Sequence, residues 1–362
     1  MGIKTIKNRY FLNVKFLLWL YLFLSTSVAV HKFLTHKLAN YMTFSTSFWN
    51  MFSGVNPYYQ VLEYKYSPAF CMFMAPMAVL PDWLGSIIWN AINTLILYFG
   101  VTKLKLDNNK KAFILWFVIF EYMTSIQNLQ SNVMMTGLML LAFALFEDEK
   151  TFWASFVVVA LFFTKIFGAG IGLIFLFYPK KTKFVMYSVF WTAVLILVPL
   201  AIVPWDFFVV LYKSWLAVIT TDFSATLGVS VMGILNLIVP VSRASIQFCG
   251  LFLLLLPLAI NFKKFSDYKY RLLYVASILI WVIIFNHKAE SPTFIIAVTG
   301  VALWYSVSEL TPFNRVLVLL VFVFTTLSPT DLFPKIIFRW VNYNIVKALP
   351  CILVWIKIQY DL

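Results

Sequence analysis

Predominantly apolar runs recur along almost the whole chain, at residues 16–30, 112–123, 152–177, 184–203, 248–260, 272–285 and 316–324. A backbone placed in lipid must satisfy its own N–H and C=O groups, so helices are the element such runs form. Hydrophobic residues make up 62% of the chain and charged residues 12%, against roughly 25% charged in an ordinary soluble domain. At roughly 20 residues per span, the 362 residues allow about ten to twelve crossings. The expected fold is an all-α polytopic membrane protein forming one integral domain over residues 1–362, with no soluble domain, coiled coil or low-complexity linker.

The net charge of +14 does not point to nucleic acid, because the basic residues sit in short clusters between apolar runs. These clusters are Lys103, Lys105, Lys110 and Lys111; Lys180, Lys181 and Lys183; and Lys263, Lys264, Lys269 and Arg271. Such placement fits cytoplasmic loops and lipid headgroups. Lys4, Lys7, Arg9 and Lys15 precede the first run without an acid, which places the N-terminus in the cytoplasm; the chain is expected to be a multi-pass cell-membrane protein with its C-terminus on the same side. No small-residue cleavage site follows that run before His31, so it reads as a span and not as a signal peptide. Cys71, Cys249 and Cys351 are scattered, with no CxxC pair, and indicate neither a disulfide framework nor a metal site.

Residues 40–68 interrupt the apolar pattern with polar, aromatic and turn-forming residues, and read as a water-facing platform outside the membrane. Beyond it the topology is open. Two apolar pieces follow, split at Pro81-Asp82-Trp83-Leu84-Gly85. The first is either a short crossing or a re-entrant segment. Residues 152–177 form either one long span or two short helices broken at Lys165. Both versions keep residues 204–228 and 286–292 on the platform's side.

Charged groups in or near hydrocarbon are costly and are therefore functional candidates. Lys65 stands beside Ser67 and Pro68, an N-cap and first helical position, and a helix N-terminus next to a lysine attracts anions. The bland alternative is a cap and a snorkelling lysine. Lys165, within Phe163-Thr164-Lys165-Ile166, could meet a phosphate or simply sit at the interface. Glu121 could be its structural partner. Gln130 and Asn132 head an apolar helix, where capping is the default explanation. His287-Lys288-Ala289-Glu290 offers two cations for a phosphate and a carboxylate able to take a hydroxyl proton, unless it is a self-neutralising turn. Asp222 is a further acid on the platform's side, or a helix cap.

With these residues assembled, the chain resembles the GT-C membrane glycosyltransferases of family 87, which includes polyprenol-phosphate-mannose-dependent mannosyltransferases. The likeness is carried by Gly54-Val55-Asn56-Pro57-Tyr58, by Tyr64-Lys65-Tyr66-Ser67-Pro68, by Leu80-Pro81 with Trp89 and Asn93, by Gln130-Ser131-Asn132 and by Lys165. It implies a GT-C-type helix bundle whose external loops carry short interfacial helices. It also implies transfer of a sugar, mannose first, from a polyprenyl-phosphate donor to a lipid or saccharide acceptor at the external face. On this reading Lys65, Lys165, His287 and Lys288 meet the donor phosphate, and Tyr58, Tyr64, Gln130 and Asn132 hold sugar and acceptor. No metal or other cofactor is called for, because lysines can neutralise the phosphate. The family's aspartate at the start of the platform is replaced here by Asn40, which cannot accept a proton, so Glu290 or Asp222 becomes the expected base. The rival class is a transporter or flippase for a lipid-linked saccharide; the chain lacks the internal repeat common in transporters.

Overall fold

The computed structural model of the protein describes residues 13–60, 64–221 and 227–362, so the basic residues 1–12 and Asp222 lie outside the described residues. Among the described residues the regular elements are all helical. Residues 40–68, read from the sequence as a water-facing platform, begin with a packed helix. Helix α1 (Val14–Leu34) leads into α2 (Ala39–Phe52), whose Tyr41, Phe44, Ser45, Phe48 and Met51 are buried. Their three-to-four-residue spacing gives α2 an apolar face, which packs on α3 (Pro68–Ala78). Ser67 caps α3 with its hydroxyl on the Phe70 N–H, and Pro68 takes the first helical position, as expected.

Helices α4 (Asp82–Thr102), α5 (Asn108–Gln127), α6 (Asn132–Glu147) and α7 (Thr151–Thr164) form the first half of the bundle. Lys165 then adopts an extended conformation, φ −149° and ψ 124°, and the chain continues as a 3₁₀ segment over Ile166–Phe177. Residues 152–177 are therefore two short pieces broken at the lysine, packed against each other. Next come α8 (Lys181–Leu197), α9 (Trp205–Thr221), α10 (Arg243–Ile260), α11 (Tyr268–Ile284), α12 (Phe294–Val307), α13 (Pro312–Leu320), which runs on as a π-helical turn over Val321–Thr326, and α14 (Tyr343–Asp361). Four helical segments are long and apolar enough to cross a membrane, namely Val14–Leu34, Asp82–Thr102, Lys181–Ala201 and Arg243–Ile260. Any further crossing is made by a shorter apolar helix such as Asn132–Glu147 or Thr151–Thr164.

Polar bonds sort the helix ends into two groups. At one end Arg271 Nε and Nη2 donate to the two Glu147 oxygens at 2.6 and 2.9 Å, and Tyr178 Oη donates to Glu147 Oε1 at 2.5 Å. Burial and the adjoining carboxylate raise the Tyr178 phenol well above its ordinary value, so it stays a donor. Lys105 N donates to Tyr268 Oη at 3.0 Å, and Lys180 pairs with Glu149 at 2.6 Å. The basic clusters thus gather where α4, α6, the 3₁₀ segment and α10 end. The opposite end holds the N-termini of α2, α3 and α6. Helix α3 begins and ends there: Ser67 Oγ donates to Phe163 O at 2.6 Å, while the Met77 and Ala78 carbonyls accept from Tyr41 Oη and Trp49 Nε1 of α2. Its 11 residues reach about 16 Å, half of a hydrocarbon layer about 30 Å thick.

Helices α4 and α6 touch backbone to backbone. A Cβ on Gly137 would lie 2.3 Å from the Ile96 carbonyl oxygen, and one on Gly100 would lie 2.5 Å from the Gly137 carbonyl oxygen. Small residues let membrane helices approach in this way. Because the obstructing atoms are backbone and cannot swing aside, Gly137→Ala is expected to cost about 1–3 kcal/mol. The check is a thermal melt in detergent; an unchanged midpoint would contradict this contact.

Candidate active site

The turn joining α5 to α6 organises the polar end of the bundle. Helix α5 stops at Gln127, Leu129 takes a left-handed conformation with φ 52°, and α6 starts at Asn132. A leucine with positive φ costs of order 1–3 kcal/mol and persists where the surroundings over-determine it. Here its side chain is buried and its carbonyl accepts from Trp89 Nε1 at 2.8 Å. Asn128 O accepts from Asn40 Nδ2 at 2.7 Å, and Met134 N donates to Asn93 Oδ1 at 3.0 Å.

Three side chains of this turn meet the rest of the site. Asn132, fully buried, donates from Nδ2 to Gln130 Oε1 at 2.6 Å and accepts at Oδ1 from Lys165 Nζ at 2.9 Å. Gln130 Nε2 then lies 3.5 Å from Glu290 Oε2, and Ser131 Oγ lies 3.1 Å from Tyr66 Oη. The Lys165 ammonium also stands 5.4 Å from the Tyr66 ring centroid, within cation–π range. Lys165 is part-exposed and Glu290 exposed, so a cation and a carboxylate open outward on one amide pair, of which Asn132 is buried and Gln130 half-exposed. The extended conformation of Lys165 puts its side chain at the point where α7 turns back into the 3₁₀ segment.

The arrangement differs in several respects from what the sequence led us to expect. Neither Gln130 nor Asn132 caps α6; both amides bond sideways. Glu121 is not the partner of Lys165. It sits one and a half turns inside α5 and pairs with Lys347 of α14 at 2.7 Å, while Lys165, at the end of the bundle, reaches Asn132. Tyr58 and Tyr64 are buried, and their hydroxyls donate to the Tyr66 and Ser67 carbonyls at 2.8 and 3.0 Å, so they brace the entry to α3. Lys65 is exposed, with its carbonyl accepting from Trp215 Nε1 of α9 at 3.3 Å. His287 and Lys288 are half-buried in the turn immediately before Glu290, which is held by Lys288 N on Asn286 Oδ1 and by Val229 N on Ala289 O. Gln130, Asn132, Lys165 and Glu290 are joined in one chain of hydrogen bonds.

Asn40 is engaged as a donor. An ionised aspartate in its place could not donate to the Asn128 carbonyl and would face it with like partial charge. Tyr66 and Ser131 belong to the site although the sequence singled out only their neighbours. Each is the middle residue of a quoted motif, Tyr64-Lys65-Tyr66-Ser67-Pro68 and Gln130-Ser131-Asn132, and that was the available clue.

An all-α, membrane-type bundle with a lysine, two amides and a carboxylate converging at one end defines an integral membrane protein with a polar site at that end. Residues 64–329 match glycosyltransferase family 87, and a match over that much of the chain places the protein in this family. No curated protein matches it.

Asn132 serves Lys165 and Gln130 at once, so Asn132→Leu leaves both without their partner. The expected loss is about 1–3 kcal/mol of stability, and Gln130→Ala, at a half-exposed position, should lose less. Comparing the two melting midpoints checks this order, and equal midpoints would remove Asn132 from the centre of the network.

Proposed function

We propose that this glycosyltransferase moves a hexosyl group, mannosyl as the first candidate, from a polyprenyl-phosphate sugar to a lipid or saccharide acceptor at the extracytoplasmic face of the cell membrane. The observation that carries the reading is the chain of contacts Lys165–Asn132–Gln130–Glu290, which sets a cation and a carboxylate on opposite sides of one amide pair.

Direct displacement needs both groups. The acceptor oxygen attacks the anomeric carbon, the bond from that carbon to the phosphate oxygen breaks, and the electron pair leaves with the polyprenyl phosphate. The acceptor proton passes to Glu290. Lys165, aided by Lys65, His287 and Lys288 around the same end, stabilises the charge developing on the phosphate. Gln130 and Asn132 orient the sugar and hold the lysine. Inversion at the anomeric carbon follows from a single displacement.

The sidedness rests on charge. The Lys103–Lys111 region, the Lys180–Lys183 cluster and the Lys263–Arg271 cluster meet at the end opposite the site, and basic loops favour the cytoplasm. The short α3 and the break at Lys165 fit the topology in which residues 103–111 are cytoplasmic. The expected ten to twelve crossings and the GT-C arrangement belong to the same proposal.

Glu290→Gln keeps the contact with Gln130 but removes the proton acceptor. Transfer from a polyprenyl-phosphate hexose in membranes should fall about 100-fold or more. Full activity would remove Glu290 from the base role, and donor translocation without any transfer would favour the transporter reading. Asn40→Asp separates the two candidate acids. Because it breaks the bond to Asn128 O, it should lower transfer, and a rise in rate would show that position 40 is where the base belongs.

A further inference from the structure

Below the site lies an ion pair that the proposed reaction does not use. Lys347 and Glu121 are both fully buried, and Lys347 Nζ donates to Glu121 Oε1 at 2.7 Å and to Thr325 O at 3.0 Å while standing 4.9 Å from the Phe294 ring centroid. The lysine therefore touches four elements at once: α5 through Glu121, the π-helical turn through Thr325, α12 through Phe294, and its own α14. Thr325 Oγ1 returns a bond to Lys347 O at 2.7 Å. The Thr325 carbonyl is left to accept from side chains because Pro329, four residues on, has no N–H and Thr330 N donates to Leu327 O.

Such a pair breaks even at best on stability, and well-packed apolar residues in its place are often as good or better. Glu121 Oε2 makes no hydrogen bond, so the carboxylate is not supported by a wider network. Packing alone therefore does not account for two charges here. Their neighbours do. Phe294 is the first residue of α12 and follows the 3₁₀ turn Ser291–Thr293, which is tied to Glu290 by Glu290 N on Thr293 Oγ1 at 3.2 Å and by Thr293 Oγ1 on Glu290 O at 2.7 Å. That turn also packs on α5, whose C-terminal end leads directly to Gln130. Glu121 and Gln127 are six residues apart, about 9 Å along the axis.

We propose that Lys347 and Glu121 are positioning residues: the pair locks the head of α12 against α5 and so sets Glu290 at its distance from Gln130. This rests on the reading of Glu290 as the base, but its geometry is testable without activity. Gln130→Cys and Glu290→Cys are combined with Cys249→Ser, which removes the exposed cysteine and leaves only the buried Cys71 and Cys351. The full-length protein in membranes is treated with a short bismaleimide. Two further backgrounds carry either Glu121→Gln with Lys347→Met, which removes both charges together, or Phe294→Leu, which leaves the pair intact and removes the ring between it and the turn. In the same backgrounds with native Gln130 and Glu290, transfer is measured.

Intramolecular cross-linking should slow in both backgrounds at an unchanged melting midpoint. The turnover number should fall about tenfold or more with little change in donor KM, as expected when a reacting group is slightly displaced. Slower cross-linking in a protein with no transferase activity supports the positioning role and refutes the transferase reading. Cross-linking at the parent rate in a folded variant overturns the proposal. Should the double variant fail to fold, Phe294→Leu decides alone.

Discussion

In hydrocarbon a backbone group without a partner costs several kcal/mol, and an interruption between helices is tolerated only where side chains take over its bonds. The turn from Asn128 to Asn132 interrupts the helices at the polar end of the bundle, where Asn128 is exposed and Leu129 buried. Every residue in it is held from another part of the chain: Asn128 by Asn40, Leu129 by Trp89, Gln130 by Glu290, Ser131 by Tyr66 and Asn132 by Lys165. The left-handed Leu129 is the mark of that over-determination. Two of these bonds satisfy backbone carbonyls, those of Asn128 and Leu129, and the other three join side chains, so five consecutive residues are each held from a different part of the chain.

A second constraint is the break at Lys165. A continuous α-helix over residues 151–177 would have carried the lysine into the bundle and the later residues out beyond it. The extended residue reverses the chain, so that α7 climbs to the polar end and the 3₁₀ segment returns to the basic one, where Tyr178 bonds Glu147. A 3₁₀ helix rises about 2 Å per residue, so 12 residues cover roughly the length that 14 cover in α7. The lysine at the apex faces solvent on one side and Asn132 on the other, without entering the core.

Much of this was legible from the sequence because hydropathy and turn chemistry are local. The apolar runs, the Ser67-Pro68 helix start and the turn at Pro81 are all properties of neighbouring residues, whereas the sequence left one long span and a break at Lys165 equally open. The convergence of Gln130, Asn132, Lys165 and Glu290 is not local; the cost of polar and charged groups among apolar runs brought all four forward, and the motif resemblance covers only the first three. The partner of Glu121 was misjudged for the same reason. Glu121 and Lys347 are each the isolated charge in an apolar stretch, which said that both needed partners, but no spacing rule reaches across the 226 residues between them. Within residues 40–68 the helical period of Tyr41, Phe44, Phe48 and Met51, rather than the count of polar residues, marks the face that packs.

The exchange of an expected aspartate for Asn40 becomes intelligible once its bond is known. A carboxylate there would have to be free of the Asn128 carbonyl to act as a base, and the amide instead spends its N–H on that carbonyl, closing the turn from the α2 side. A carboxylate then reaches the turn from another segment, where Glu290 approaches Gln130. Closing the turn with a neutral donor and supplying the carboxylate from a separate, independently anchored loop divides two tasks that a single aspartate would have to combine. The anchoring of that loop runs through Thr293 and Phe294 to a charge pair in the core, so the acid's position is set from beneath and the amide pair's position from the side.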